Sequence, residues 1–153
     1  LCNFTIAHTQ QTHEKIEPPK KLTKVEKQQV ECLAQNIYYE AGYETTRGQI
    51  AVAMVTLNRV YSGNYPRSIC GTMTQKIEET CQFSWYCDGQ MAKKPKDAAY
   101  EESYSVAKKV LLEGFRLDSL KDALYYHAVY VKPQWPHEKI TQIGNHIFYK
   151  ARI

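Results

Sequence analysis

Ile50-Ala51-Val52-Ala53-Met54-Val55-Thr56-Leu57 is the stretch on which the fold turns. It has no polar face. A helix that is apolar nearly all round must be surrounded by other elements, so it belongs in the middle of a domain. Just before it, Thr46-Arg47-Gly48-Gln49 has the pattern of a capping box, with Thr46 as N-cap and Gln49 at the third helical position. Ser62-Gly63-Asn64 and then Pro66 close it.

Upstream, Val30, Leu33, Ala34, Ile37 and Ala41 recur at helical spacing, which predicts a helix over 24–41 with one apolar stripe. Gly42 is placed to stop it as a C′ residue. Downstream, 63–96 is rich in Gly, Pro, Cys and polar residues and reads as a long irregular stretch of the kind that often carries function. Asp97 caps a further helix, with Ala98, Tyr104, Ala107, Val110 and Leu111 along its stripe and Gly114 at its end. The last forty residues change period. Segments 123–131 and 145–150 are aromatic and β-branched, and predict two strands joined by an irregular connection containing Pro133 and Pro136. The class is α+β. Residues 1–24 lack periodicity, carry Pro18-Pro19, and read as a flexible tail and linker; residues 25–153 read as one domain.

The 153 residues are 43% hydrophobic and 24% charged, enough for a core and too apolar for global disorder. No apolar run is long enough to span a membrane as a helix. A net charge of +4 fits an anionic partner but is too weak to argue for nucleic acid. Five cysteines exclude a fully paired monomer. Cys81 and Cys87 bracket Gln82-Phe83-Ser84-Trp85-Tyr86 and could staple that loop; Cys32 and Cys70 are the other internal thiols. A zinc site from these thiols and His127, His137 or His146 is the rival, but no Cys-x-x-Cys pair supports it. No metal or cofactor motif is present, and no Gly-rich phosphate loop or nucleophile elbow.

Glu40 is the residue with chemistry to offer. It sits near the end of the first helix, beside the apolar stripe. Partial burial and the negative end of the helix dipole both disfavour its anion. A carboxylic acid kept partly protonated suits general-acid cleavage of a glycosidic bond. A solvated helix-end glutamate is the plainer alternative. Glu44 follows four residues later, either as a carboxylate neighbour or as a turn residue accepting backbone N–H groups. Phe83, Trp85, Tyr86, Tyr125, Tyr126 and Trp135 could stack on sugar faces or simply form core.

Taken together these residues resemble a known family. Glu31-Cys32-Leu33-Ala34-Gln35-Asn36-Ile37-Tyr38-Tyr39-Glu40-Ala41-Gly42-Tyr43-Glu44 is similar to the opening motif of the SleB/CwlJ cell-wall hydrolases, an aromatic followed by Glu-Ala-x-Gly-Glu. The turn departs from that pattern, reading Ala41-Gly42-Tyr43-Glu44, with both glutamates kept. Gly48–Ala53, Leu57–Val60, Tyr65–Gly71, Cys81–Gly89, Tyr126-His127-Ala128, Pro133-x-Trp135 and Ile143–Tyr149 resemble later motifs of the family, in order, over about 30 to 150.

The resemblance implies a lysozyme-like α+β scaffold and cleavage of peptidoglycan glycan strands. It implies a lytic transglycosylase with Glu40 as the single acid/base and no cofactor. A hydrolytic muramidase would need a second carboxylate, for which Glu44, Glu78, Glu79 and Asp88 are available. A non-catalytic peptidoglycan-binding module and a cysteine-dependent amidase are the other readings. Glu44, Gln49, Gln82, Phe83, Ser84, Trp85, Tyr126 and His127 are the expected substrate-binding residues, with His127 as a hydrogen-bond donor. Asn58 is a weaker candidate. Cys32, Cys70, Cys81 and Cys87 fit two bridges, and point to a bacterial envelope enzyme or a phage lysin rather than a germination enzyme. A monomer acting on glycan strands, without nucleic acid, is expected.

Overall fold

A computed structural model describes residues 21–89, 95 and 97–152. The expected tail over 1–24 therefore falls almost wholly outside the described residues, as does Cys2.

Helix α1 spans Lys24–Ala41. Its N-terminus is built by a capping box: Thr23 accepts from the Glu26 amide, and Glu26 accepts from the Thr23 amide at 2.9 Å. The stripe Val30, Leu33, Ala34, Ile37 and Ala41 is buried as its spacing predicts. Gly42 corrects the expected stop. Its φ of −60° is right-handed, so no left-handed cap forms. Glycine is required there because a Cβ would strike the Tyr38 carbonyl oxygen.

Helix α2 spans Thr46–Ser62. Its N-cap is Thr45, not Thr46: Thr45 is extended, and its hydroxyl accepts from the Gly48 amide at 3.2 Å. The expected Thr46–Gln49 box is thus one residue out of register, which frees Gln49 for another task. Gly63 ends the helix at φ 83°. Ala51 through Leu57 are all 0–2% exposed. One side of α2 meets Leu33, Ile37, Met73, Phe83, Trp85, Val106 and Val110. The other meets Leu120, Ala123, Ile143 and Phe148. The apolar helix is the wall between two cores.

The stretch 63–96 is less irregular than expected. It contains helix α3 (Ile69–Met73), a two-stranded hairpin of β1 (Lys76–Ile77) and β2 (Thr80–Cys81), and helix α4 (Ser84–Cys87). Ser68 caps α3 by accepting from the Gly71 amide. Disulfides Cys32–Cys70 and Cys81–Cys87 tie α3 to α1 and close the loop around α4, with Cα separations of 5.3 and 5.8 Å. The pairing uses the thiolates a zinc site would need. Such short elements carry too few residues for periodicity to reveal them.

Helix α5 (Ala98–Leu112) is capped by Asp97 and followed by Gly114 at φ 75°. A 3-10 turn at Asp118–Leu120 leads to the sheet. Three strands form it, not two: β3 (Tyr125–Ala128), β4 (Glu138–Ile143) and β5 (His146–Lys150), antiparallel in the order β3-β5-β4. Strand β4 was missed because it is an edge strand with exposed Glu138 and Lys139 and a bulge between Lys139 and Thr141, which breaks the alternation. No helix among the described residues is long and apolar enough to cross a membrane.

Candidate active site

Glu40 lies in the last turn of α1, half-buried, where three elements meet. Burial pushes its carboxyl above the ordinary range; a Tyr126 hydroxyl from β3 and the Arg59 guanidinium from α2 pull the other way. Burial wins. Among the described residues no second carboxylate perturbs it. A carboxyl that holds its proton more tightly than usual, beside a hydroxyl and a cation, is suited to give up that proton and then be stabilised as the anion.

The α1 terminus is held on both sides. The Tyr38 hydroxyl donates to Asp97 Oδ2 at 2.7 Å, fastening it to the start of α5. That bond and partial burial push the Tyr38 phenol up to about 12. The Tyr39 ring stacks on Trp85 with centroids 4.7 Å apart.

Tyr126 points inward from the sheet. Its ring meets His146 edge-on at 5.2 Å and Phe148 at 5.7 Å. Its hydroxyl is buried and close enough to act on Glu40, but has no partner at full hydrogen-bond geometry. Burial, and then the Glu40 charge, keep the phenol well above its usual range.

Arg59 was not expected. A charged side chain just past the apolar run 50–57 was the available signal. It is 5% exposed; its Nε donates to the Leu124 carbonyl at 2.8 Å, and its guanidinium lies 5.1 Å from the Tyr65 ring and 5.7 Å from Phe83. Its Nη1 is buried without a partner.

Several expected substrate contacts have other employment. Gln49 is buried and its Nε2 donates to the Ala41 carbonyl at 3.2 Å, so the amide joins the end of α1 to α2. Asn58 donates to the Leu120 and Ala123 carbonyls. Glu44 accepts from the Asn145 amide at 3.2 Å and lies 3.5 Å from His146 Nδ1, at the tip of the β4–β5 hairpin. Phe83 and Trp85, expected among the substrate-binding residues, are instead buried in the larger core. Gln82 and Ser84 are exposed beside them.

His127 points away from Tyr126 to the opposite face of the sheet. Its Nδ1 lies 2.8 Å from the Ala128 carbonyl, which can only accept, so Nδ1 carries the proton. Nε2 then accepts from the Tyr149 hydroxyl at 2.7 Å. No ring N–H is left for a substrate, which corrects the donor expectation. The outer face instead forms a ring cluster of Tyr125, His127, Trp135, His137 and Tyr149, with Tyr125 and His137 stacked at 3.6 Å. Of the predicted residues, then, the structure brings Tyr126 to Glu40, while Gln49, Glu44 and His127 are engaged with other partners. No group of three His, Cys, Asp or Glu among the described residues could hold a metal ion.

Residues 43–149 match the cell wall hydrolase family. The spore cortex-lytic enzyme of Bacillus subtilis (strain 168) is 34% identical over 122 residues, covering 78% of this chain and 36% of that protein. The enzyme of the same description from Oceanobacillus iheyensis is 34% identical over 124 residues, covering 79% and 41%. The chain thus spans about two-fifths of the length of these relatives. They are spore enzymes, the branch from which the cysteine pattern pointed away. Among solved structures, the catalytic domain of the germination-specific lytic transglycosylase SleB from Bacillus anthracis aligns with a TM-score of 0.64 at 28% identity, over 87% of this chain and all of that one. The catalytic domain of the Bacillus cereus SleB protein gives a TM-score of 0.64 at 26% identity, over 90% and 99%. The α+β lysozyme-like architecture is shared across the whole of those domains. On the match over 43–149, which begins just past Glu40, the chain belongs to the cell wall hydrolase family.

Proposed function

We propose that residues 25–153 are a catalytic domain that cleaves peptidoglycan at the β-1,4 bond between N-acetylmuramic acid and N-acetylglucosamine, as a lytic transglycosylase. The observation that carries this is the state of Glu40: a carboxyl held above its ordinary range, with Tyr126 and Arg59 beside it and no perturbing carboxylate partner among the described residues. Its protonated form donates to the glycosidic oxygen as the muramic C1–O bond breaks. The resulting carboxylate, stabilised by Arg59 and Tyr126, then takes the proton of the muramic C6 hydroxyl as that oxygen closes onto C1. The product is a 1,6-anhydro sugar and the bond cleavage consumes no water.

Glu44, the carboxylate nearest to Glu40 along the sequence, is engaged with Asn145 and His146, which weighs against a paired-carboxylate hydrolase. The pairing of Cys32, Cys70, Cys81 and Cys87 weighs against a thiol nucleophile. The net charge of +4 suits an anionic wall polymer. The site of action is the bacterial cell wall, reached from the envelope or by a phage lysin.

Mass analysis of digested murein tests the reading. Anhydro-muramic ends, one water lighter than reducing ends, are expected. Normal reducing ends would make it a hydrolase, and murein bound without release of soluble fragments would make it a binding module.

A further inference from the structure

Glu44 and Glu40 are separated by one turn of chain but face different elements. The Glu44 side chain is only 10% exposed. Its Oε1 accepts from the Asn145 amide, one hundred and one residues away in sequence, and approaches His146 Nδ1 at 3.5 Å. The fit is close: a Cβ on Gly144, at φ 56°, would strike Glu44 Oε2. The carboxylate therefore occupies a socket made by the Gly144-Asn145-His146 turn. His146, 7% exposed, stands edge-on to Tyr126, with ring planes 84° apart. Across the β3–β5 pair, Ala128 faces His146 and Tyr126 faces Phe148, so the hairpin that Glu44 grips is the one that carries the neighbours of Tyr126. The Tyr126 hydroxyl is buried without a hydrogen-bond partner and lies near enough to Glu40 to pull its pKa down.

We propose that Glu44 is a positioning residue: by seating the β4–β5 turn it holds His146 against Tyr126, and so places the Tyr126 hydroxyl at the Glu40 carboxyl. This rests on the reading of Glu40 as the acid. The socket turns the second glutamate of the motif from a substrate contact into a brace between α1's end and the sheet.

The charges around this brace are few. Glu40 faces Arg59 from α2 and Tyr126 from β3; Tyr126 faces Glu40 and Arg59. His146 faces Glu44, feels the His127 charge through the sheet, and is held below its ordinary range by burial. A hydroxyl donating to the Glu40 carboxylate lowers its pKa. Removing or displacing that hydroxyl moves the basic limb of activity to higher pH, because the acid then stays protonated further up the scale.

The test is a double-mutant cycle of Glu44→Ala and Tyr126→Phe, with murein cleavage followed as kcat, KM and pH profile. Glu44→Ala should lower kcat about tenfold to a hundredfold with KM little changed, as expected for a misplaced group. Its basic limb should move upward, as in Tyr126→Phe. The double variant should fall no further than the worse single one. If Glu44→Ala does not fold, the cycle is run with Glu44→Gln, which keeps an acceptor for Asn145; the same coupling with a smaller loss is expected. A raised KM with unchanged kcat, an unmoved pH limb, or losses that multiply in the double variant would overturn the proposal. Glu40→Gln is assayed beside them: full activity there defeats the acid assignment itself, whatever the cycle shows.

Discussion

Gln49 reaches back from the first turn of α2 to donate its amide to the carbonyl of Ala41, the last residue of α1. The bond spans the turn that follows Glu40, and the same carbonyl accepts from the Glu44 amide at 3.0 Å. Replacing Gln49 by Leu keeps the volume and removes one of the two bonds that carbonyl accepts, a cost of about 0.5–1.5 kcal/mol. Thermal denaturation should show the loss, with KM for murein unchanged in the folded protein. A raised KM at unchanged Tm would return Gln49 to the substrate.

Glu40→Gln should separate activity from stability. Loss of the general acid costs about 10²–10⁴-fold in rate. Stability moves the other way. Because burial raises the carboxyl's folded pKa, the native state resists ionisation that the unfolded chain accepts. The penalty is absent below the unfolded pKa, grows as pH rises through the interval up to the folded pKa, and then levels off. The Tm of Glu40→Gln minus that of the native protein should therefore increase with pH. Tm scans at acid and neutral pH check the sign.

Arg59 should prove both structural and functional. Its bond to the Leu124 carbonyl is charge-assisted, and Arg59→Met forfeits about 1.5–3 kcal/mol. It also removes the cation that lowers the Glu40 pKa. The basic limb of kcat/KM should move upward. Chemical denaturation and a pH–rate profile, read on one preparation, measure both effects. An unmoved limb would make Arg59 a packing residue alone.

The two disulfides should differ in weight. Cys32–Cys70 bridges a separation of 38 residues and Cys81–Cys87 one of 6. Loop-closure entropy gives about 4 kcal/mol for the first and about 2 kcal/mol for the second. Cys32→Ser with Cys70→Ser should lower Tm more than Cys81→Ser with Cys87→Ser. Both should keep cleavage activity at low temperature, since neither bridge reaches the reacting atoms. Abolished activity in a folded double serine variant would contradict this.

The helical half of the protein was legible because its signals are local. Periodicity marked Val30 to Ala41, and uniform apolarity marked Ile50 to Leu57; burial followed both. Asp97 capped the helix it was expected to cap. Errors appeared where one residue of shift changes the chemistry. Two adjacent threonines can each cap α2, and backbone geometry chose Thr45, which left Gln49 to bind Ala41. Strand β4 escaped because an exposed, bulged edge strand alternates poorly.

By itself, the sequence determined the α+β order, the central helix, the four internal cysteines and the place of Glu40 at a helix end, since helix spacing and motif are properties of neighbours along the chain. Which side chains surround Glu40 was decided only by tertiary structure. Tyr126 and His127 are adjacent in sequence, yet the period-two geometry of β3 turns one toward the acid and the other to the outer face. Arg59 and His146 join the site through packing of α2 and β5, and Glu44 leaves its neighbour Glu40 for a turn one hundred residues away. Contacts of that kind arise from how the layers close over the central helix, and no pattern within a single segment contains them.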